Sequence, residues 1–351
     1  MMKDSIIGRW EIGSEFCDSP PFFGRVVNWP GDKKYFLSSG RTPVILLKEK
    51  LKGKTLYCPN YYCLDVLNYW ISHGINLSFY DVKFENGYFK VKLDSIKPNS
   101  AILAVNYFGS ENGLFWRSFQ DRNDFLLIED HTHDPVSSWA LSSKADYAFS
   151  SLRKTLPITD GCIFWSPNGS KLPPAPSSSF DSELKRQAMS LKQKYLNDQP
   201  VDKSKFLKLY ELAEDMLIKS EPQLISDNSK HSFPVGYPED FLIKKRSNYS
   251  TLLSALDVDI WSVIELVDMC KESTPFGFVF KCKTNQKRND LRQHLTANNI
   301  YCPIHWSQDL SFSGRENFEL GNRILTVPID HRYNSSDILK VAATINRFFH
   351  D

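Results

Sequence analysis

The sequence predicts an α/β architecture, a mostly parallel sheet between helices followed by a smaller α+β domain, and three observations carry that expectation. Apolar strand-like runs alternate with longer amphipathic segments up to about residue 165, the pattern of parallel strands joined by helices. A stretch rich in Pro, Ser and Gly, 166–179, then breaks the alternation. The 351 residues exceed what one hydrophobic core usually sustains, so two domains are expected, 1–220 with an N-terminal arm and 221–351.

The elements follow in order. A short strand through Tyr35, Phe36 and Leu37 runs by way of Ser39-Gly40 into an apolar helix, Val44 to Leu51. Further strands are expected at Thr55 to Cys58, Leu77 to Tyr80, Ala101 to Val105, Phe125 to Ile128, Tyr147 to Phe149 and Cys162 to Trp165, with a helix from Tyr62 to His73 between the first two. Each is a short apolar run bounded by polar or turn-forming residues, as buried strands require. Beyond the Pro/Ser-rich loop, two polar helices are expected at Asp181 to Leu196 and Lys203 to Lys219. A turn-rich interval, 220–239, precedes a helix beginning near Phe241. A strand at Gly277 to Lys281, a helix from Asn289 to Ala297, a strand from Ile324 to Val327 and a final helix from Ser336 to Phe348 complete the smaller domain.

Composition excludes several classes. The 43 basic and 41 acidic residues are well mixed and leave a net charge of +2, so no basic stripe is available for nucleic acid. Seven cysteines, an odd number with no Cys-x-x-Cys pair, read as reduced thiols. The N-terminus, Met1 to Trp10, lacks an apolar signal core, and no apolar stretch approaches a membrane span. A cytoplasmic protein without a membrane partner is expected.

Two strand ends carry the chemistry. Phe125-Leu-Leu-Ile-Glu129-Asp130 ends in a carboxylate, and Ser150-Ser151-Leu152-Arg153-Lys154, after the next apolar run, ends in an amine. These are the two groups a pyridoxal phosphate site requires: a lysine that condenses with the cofactor aldehyde, and a carboxylate that keeps the pyridine nitrogen protonated so that the ring accepts electrons. The Ser39-Gly40-Arg41-Thr42 turn, opening a helix, offers backbone N–H groups at the positive end of a helix dipole, which suits a phosphate. Ser151, three positions before Lys154, places a hydroxyl within reach of that phosphate, with Ser150 the alternative.

The ordered set Ser39-Gly40-Arg41-Thr42, Tyr107-Phe108-Gly109, Glu129-Asp130-x-x-His133, Ser151-x-x-Lys154 and Asp160-Gly161 resembles the DegT/DnrJ/StrS sugar aminotransferases. The resemblance continues through Asn299-Ile-Tyr-Cys-Pro-Ile-His305-Trp306 and Arg323-Ile-Leu-Thr-Val-Pro-Ile329, covering roughly residues 35 to 349. It implies the type I pyridoxal phosphate-transferase fold, with a mostly parallel seven-stranded type of sheet. It also implies transfer of an amino group from glutamate to a keto sugar carried on a nucleotide, and a homodimer with active sites at the subunit interface. By the same resemblance Lys154 and Asp130 are catalytic, and His133 lies near the cofactor ring and its hydroxyl.

The chain departs from the family pattern in three places. The ring-stacking aromatic, counted from Pro59, falls on Cys63; Tyr62 stands one step away, and both Tyr61 and Tyr62 also suit the core of the following helix. The Gly-rich turn after the lysine is reduced to Thr159-Asp160-Gly161. The Asn-Tyr-Arg-Met segment that reaches the partner's site is replaced by 233–239, which leaves Lys244 to Arg246 as candidates for that contact. A protein of this fold with altered or no turnover is therefore one alternative. The other is a metal hydrolase built on His131 and His133, but the Asp and His its pattern needs at the next positions are Pro135 and Val136, so no metal site is expected.

Overall fold

The computed structural model describes residues 8–20, 22–94, 96–119, 124–232 and 236–350. Its main sheet has eight strands in the spatial order Lys34–Leu37, Cys162–Trp165, Tyr147–Ser150, Phe125–Asp130, Ser100–Val105, Leu56–Pro59, Leu77–Glu85 and Tyr88–Lys92. The five strands from Tyr147–Ser150 to Leu77–Glu85 are parallel to their neighbours within that group. Cys162–Trp165 runs antiparallel to the strands on either side of it. Every residue of Ser100–Val105 is buried, which is why this strand reads as an unbroken apolar run rather than an alternating one.

To the seven expected strands the chain adds an eighth. Leu77–Glu85 continues past Tyr80 and turns at Asn86-Gly87, both at positive φ (53° and 82°), into Tyr88–Lys92. Asn-Gly is the pair that accepts a two-residue hairpin of this hand, so the extra strand had a signal in the sequence. The first helix is shorter than expected: Pro43 fixes its start, and it spans Thr42–Leu46 instead of reaching Leu51.

The C-terminal part is built on a three-stranded antiparallel sheet, Ile264–Leu266, Phe278–Cys282 and Ile324–Val327. It packs with helices Glu239–Ala255, Asn285–Ala297 and Ser335–His350 around Leu252, Phe280, Leu291, Leu325 and Val341. The N-terminal strand Ile12–Gly13 pairs in parallel with Ile300–Tyr301, and Ile12 is buried in this same cluster. Helices Glu183–Leu196 and Lys203–Lys219 pack together through Ala188, Met189, Phe206 and Tyr210. Of the segment that replaces the family's partner-reaching motif, 233–235 lie outside the described residues, while Gly236–Pro238 pairs with Val26–Asn28. All seven cysteines are free thiols, and among the described residues no helix is long and apolar enough to cross a membrane.

Candidate active site

Parallel strands all present their carboxyl ends at one edge of a sheet, and open α/β folds bind ligands there. Register decides which side chains meet: Val105 lies opposite Asp130, and Asp130 opposite Phe149, so the three share a face. They line a cavity of about 820 Å³ together with Ser39, Gly40, Arg41, Tyr62, His133, Ser151 and Lys154. Eight of the ten residues singled out in the sequence therefore converge. Thr42 and Ser150 do not line the cavity: Thr42 is buried in the short helix, and the Ser150 hydroxyl donates to the His131 carbonyl at 3.1 Å.

Asp130 is 6 % exposed and its carboxylate is held at both oxygens. The Thr132 N–H donates to Oδ1 at 2.8 Å and the Tyr62 hydroxyl donates to Oδ2 at 2.5 Å. Burial raises the Asp130 pKa, and the Thr132 and Tyr62 hydrogen bonds oppose that rise. Tyr62 thus has a different position from the one expected of a ring-stacking residue. Its ring lies between Trp70 and Trp306, at centroid distances of 5.9 and 5.8 Å, and its hydroxyl is committed to Asp130.

His133 is fixed by an unusual turn. Phe108 and Gly109, at φ of 54° and 73°, curl the Tyr107-Phe108-Gly109 segment so that the Phe108 N–H donates to His133 Nδ1 at 2.9 Å. A β-carbon on Gly109 would sit 2.4 Å from the Thr274 carbonyl oxygen, so the turn needs glycine. Burial holds the His133 pKa well below its usual value, leaving a neutral ring whose proton is on Nε2.

His131 belongs to the other side of the strand. Alternation puts Glu129 opposite to Asp130, and there Glu129 accepts from Trp139 Nε1 at 3.0 Å and pairs with His131 Nε2 at 2.9 Å. The two imidazoles do not converge. Among the described residues no group of three His, Cys, Asp or Glu is arranged to hold a metal ion.

The opposite end of the cavity is cationic. Arg153 makes a two-pronged pair with Glu214 at 2.8 and 2.9 Å, and Arg41 approaches the same carboxylate at 3.7 Å. Burial disfavours the Glu214 anion, but Arg153, then Lys154 and Arg41, overcome it and hold the pKa at about 2. Arg41 Nε and Nη1 and Arg153 Nε remain buried with no hydrogen-bond partner among the described residues. The turn itself is partly self-satisfied, because the Arg41 N–H donates to Ser39 Oγ and the Thr42 N–H to the Ser39 carbonyl. A β-carbon on Gly40 would meet Ser151 Cβ at 3.0 Å, so glycine lets the two loops approach. Free donors, a bare glycine and the Ser151 hydroxyl fit a phosphate, with the guanidiniums carrying more of the role than the backbone does.

Lys154 lies in the 3₁₀ turn Leu152–Lys154 that follows its strand. It is exposed to the interior of the cavity, where repulsion from Arg153 and then burial lower its pKa. Asp160 is structural: Ser226 and Ser229 hydroxyls and the Ser226 N–H all donate to its carboxylate. Arg153, Glu214, Phe276, His305 and Trp306 are cavity residues that were not singled out as site residues. Arg153, beside Lys154, and His305-Trp306, within a segment that carries the resemblance, had a signal in the sequence.

No protein-family model matches the chain, and no curated protein matches it either. Solved structures do match. DesV of S. venezuelae, determined with a ketimine intermediate, is 15 % identical over 92 % of this chain and 86 % of its own, with a TM-score of 0.59. A DegT DnrJ EryC1 StrS aminotransferase from Brucella abortus is 13 % identical over 91 % and 86 %, with a TM-score of 0.57. NtdA of Bacillus subtilis, with bound cofactor PMP, is 13 % identical over 92 % and 74 %, with a TM-score of 0.62. The chain therefore has the fold of the DegT/DnrJ/EryC1/StrS-type sugar aminotransferases, the type I pyridoxal phosphate-transferase fold.

Proposed function

We propose that this protein is a pyridoxal phosphate-dependent aminotransferase, with a keto sugar nucleotide as acceptor and glutamate as donor. One observation carries the reading: Lys154, Asp130 and a set of unpaired buried guanidinium donors, delivered by separate segments, line one cavity at the carboxyl edge of the sheet. When bound, the cofactor supplies an electron sink for the carbanion formed at the substrate α-carbon.

The chain's own residues do the rest. Arg41, Arg153 and Ser151 would hold the phosphate end, and Gly40 would leave the room for it. Asp130, its orientation fixed by Thr132 and Tyr62, would hold the ring nitrogen protonated. Neutral His133 could offer its Nε2 proton to an acceptor on the ring. Lys154, with its lowered pKa, has more unprotonated amine at neutral pH than a free lysine, and so can attack a carbonyl carbon and move a proton at the substrate α-carbon. The family resemblance further supports a cytoplasmic homodimer. Of Lys244 to Arg246, the candidates for a partner contact, Lys245 is buried and Arg246 donates to Glu272, Ser273 and Thr274 of its own chain.

The Tyr62 hydroxyl on Asp130, together with Cys63 in place of a stacking aromatic, favours a second reading in which the fold binds cofactor with little turnover. One experiment separates the two. Wild type should convert L-glutamate to 2-oxoglutarate in a single half-reaction with bound cofactor, and Lys154→Ala should abolish it while keeping the melting temperature. No oxo acid from wild type would select the second reading, and an unchanged rate in Lys154→Ala would remove the lysine from the reaction.

A further inference from the structure

A second cavity, about 1470 Å³, adjoins the first across Arg153, Lys154, Phe276 and His305, which line both. Its other walls come from the C-terminal part and from the N-terminal segment at Gly13 to Phe16. The two acidic side chains on its surface are already neutralised: Glu15 pairs with Lys185 at 2.6 Å, and Asp330 holds Arg332 at 2.7 and 2.8 Å. One cation is not. Lys245, on the helix Glu239–Ala255, is 2 % exposed, lines this cavity, and makes no hydrogen bond or ion pair among the described residues.

Its surroundings make that isolation costly. The amine lies 5.9 Å over the Phe276 ring, and Phe276 in turn packs 4.2 Å from His133. Asp134 is the nearby carboxylate, but it accepts the Thr274 N–H at 2.9 Å through Oδ2, and its Oδ1 is buried with no partner. Burial depresses the Lys245 pKa to about 8, so most of the amine still carries its charge at neutral pH. An unpaired buried charge destabilises a fold unless an anion reaches it. An ammonium buried in the wall of a cavity that Lys154 also lines suits the carboxylate of an acid that reacts there.

We infer that Lys245 anchors the carboxylate of the amino or oxo acid that reacts at Lys154, an assignment that rests on the aminotransferase reading above. The second cavity is then the acid-binding side of the active site, and Phe276 is the apolar divider between the bound carboxylate and His133.

The test titrates cofactor-treated protein with 2-oxoglutarate, its dimethyl ester and inorganic pyrophosphate by calorimetry. Wild type should bind 2-oxoglutarate and not the ester. Lys245→Met should weaken 2-oxoglutarate binding about tenfold or more, leave cofactor uptake unchanged, and melt at the same or a higher temperature without ligand, since an unpaired buried charge is gone. Equal affinity in wild type and Lys245→Met overturns the assignment. So does a lower melting point in the variant, which would mean that Lys245 pairs with Asp134 in solution. Tighter, Lys245-dependent binding of pyrophosphate would overturn it in favour of a diphosphate site. Failure to retain cofactor would instead strike the aminotransferase reading, because Lys245-dependent binding of 2-oxoglutarate is read separately from cofactor uptake.

Discussion

At the scale of single residues, the Tyr62 hydroxyl separates what could be read from the sequence from what could not. Asp130, Ser151 and Lys154 were legible because each follows a short apolar strand, where chain direction and register alone dictate the placement. The Tyr62–Asp130 bond joins residues 68 positions apart, and no local pattern encodes it. The same holds for Glu214 and Phe276, which reach the cavity through tertiary packing, whereas His305-Trp306 stood in a segment that carries the resemblance without a role assigned to it. Since Tyr62 and Asp130 are both buried, Tyr62→Phe should cost about 1–3 kcal/mol in urea unfolding, the range for a buried bond to a charged acceptor. A loss inside experimental error would mean that the hydroxyl and the carboxylate are not coupled. Removing the hydroxyl should also raise the Asp130 pKa further, because that hydrogen bond opposes the effect of burial.

Among the elements, the parallel strands were legible because burial on both faces leaves continuous apolar runs, as in Ser100–Val105. The hairpin strand Tyr88–Lys92 was passed over although Asn86-Gly87 marks it, since its exposed alternate residues dilute the apolar signal. This hairpin depends on its glycine twice. Gly87 sits at φ 82°, and an added β-carbon would fall 2.8 Å from Asp268 Cγ. Its carbonyl also accepts the Asp268 N–H at 2.9 Å, tying the hairpin to the C-terminal part. Gly87→Ala should therefore lower stability by about 1–3 kcal/mol through backbone strain. Cofactor uptake should be unchanged, because the hairpin contributes no side chain to the first cavity. Loss of cofactor binding in a folded Gly87→Ala protein would show that the hairpin shapes the site.

For the whole molecule, the loop at 166–179 was legible from its Pro, Ser and Gly content, but the path of the N-terminal segment was not. Trp10 and Ile12 make an alternation too short to mark a strand, yet Ile12 pairs beside Ile300 and is buried in the C-terminal cluster. That path brings Glu15 to the wall of the second cavity, beside residues of the C-terminal part. A homodimer is expected, and sedimentation at micromolar concentration should give twice the 40.5 kDa of one chain; a single-chain mass would show that one subunit builds the whole site. The central claim is chemical, that Lys154 is the residue joined to the cofactor. Incubation with pyridoxal phosphate, borohydride reduction and peptide mass mapping tests it directly. A single phosphopyridoxyl group on the peptide containing Lys154 is the predicted result, and labelling of another lysine, or of none, would contradict it.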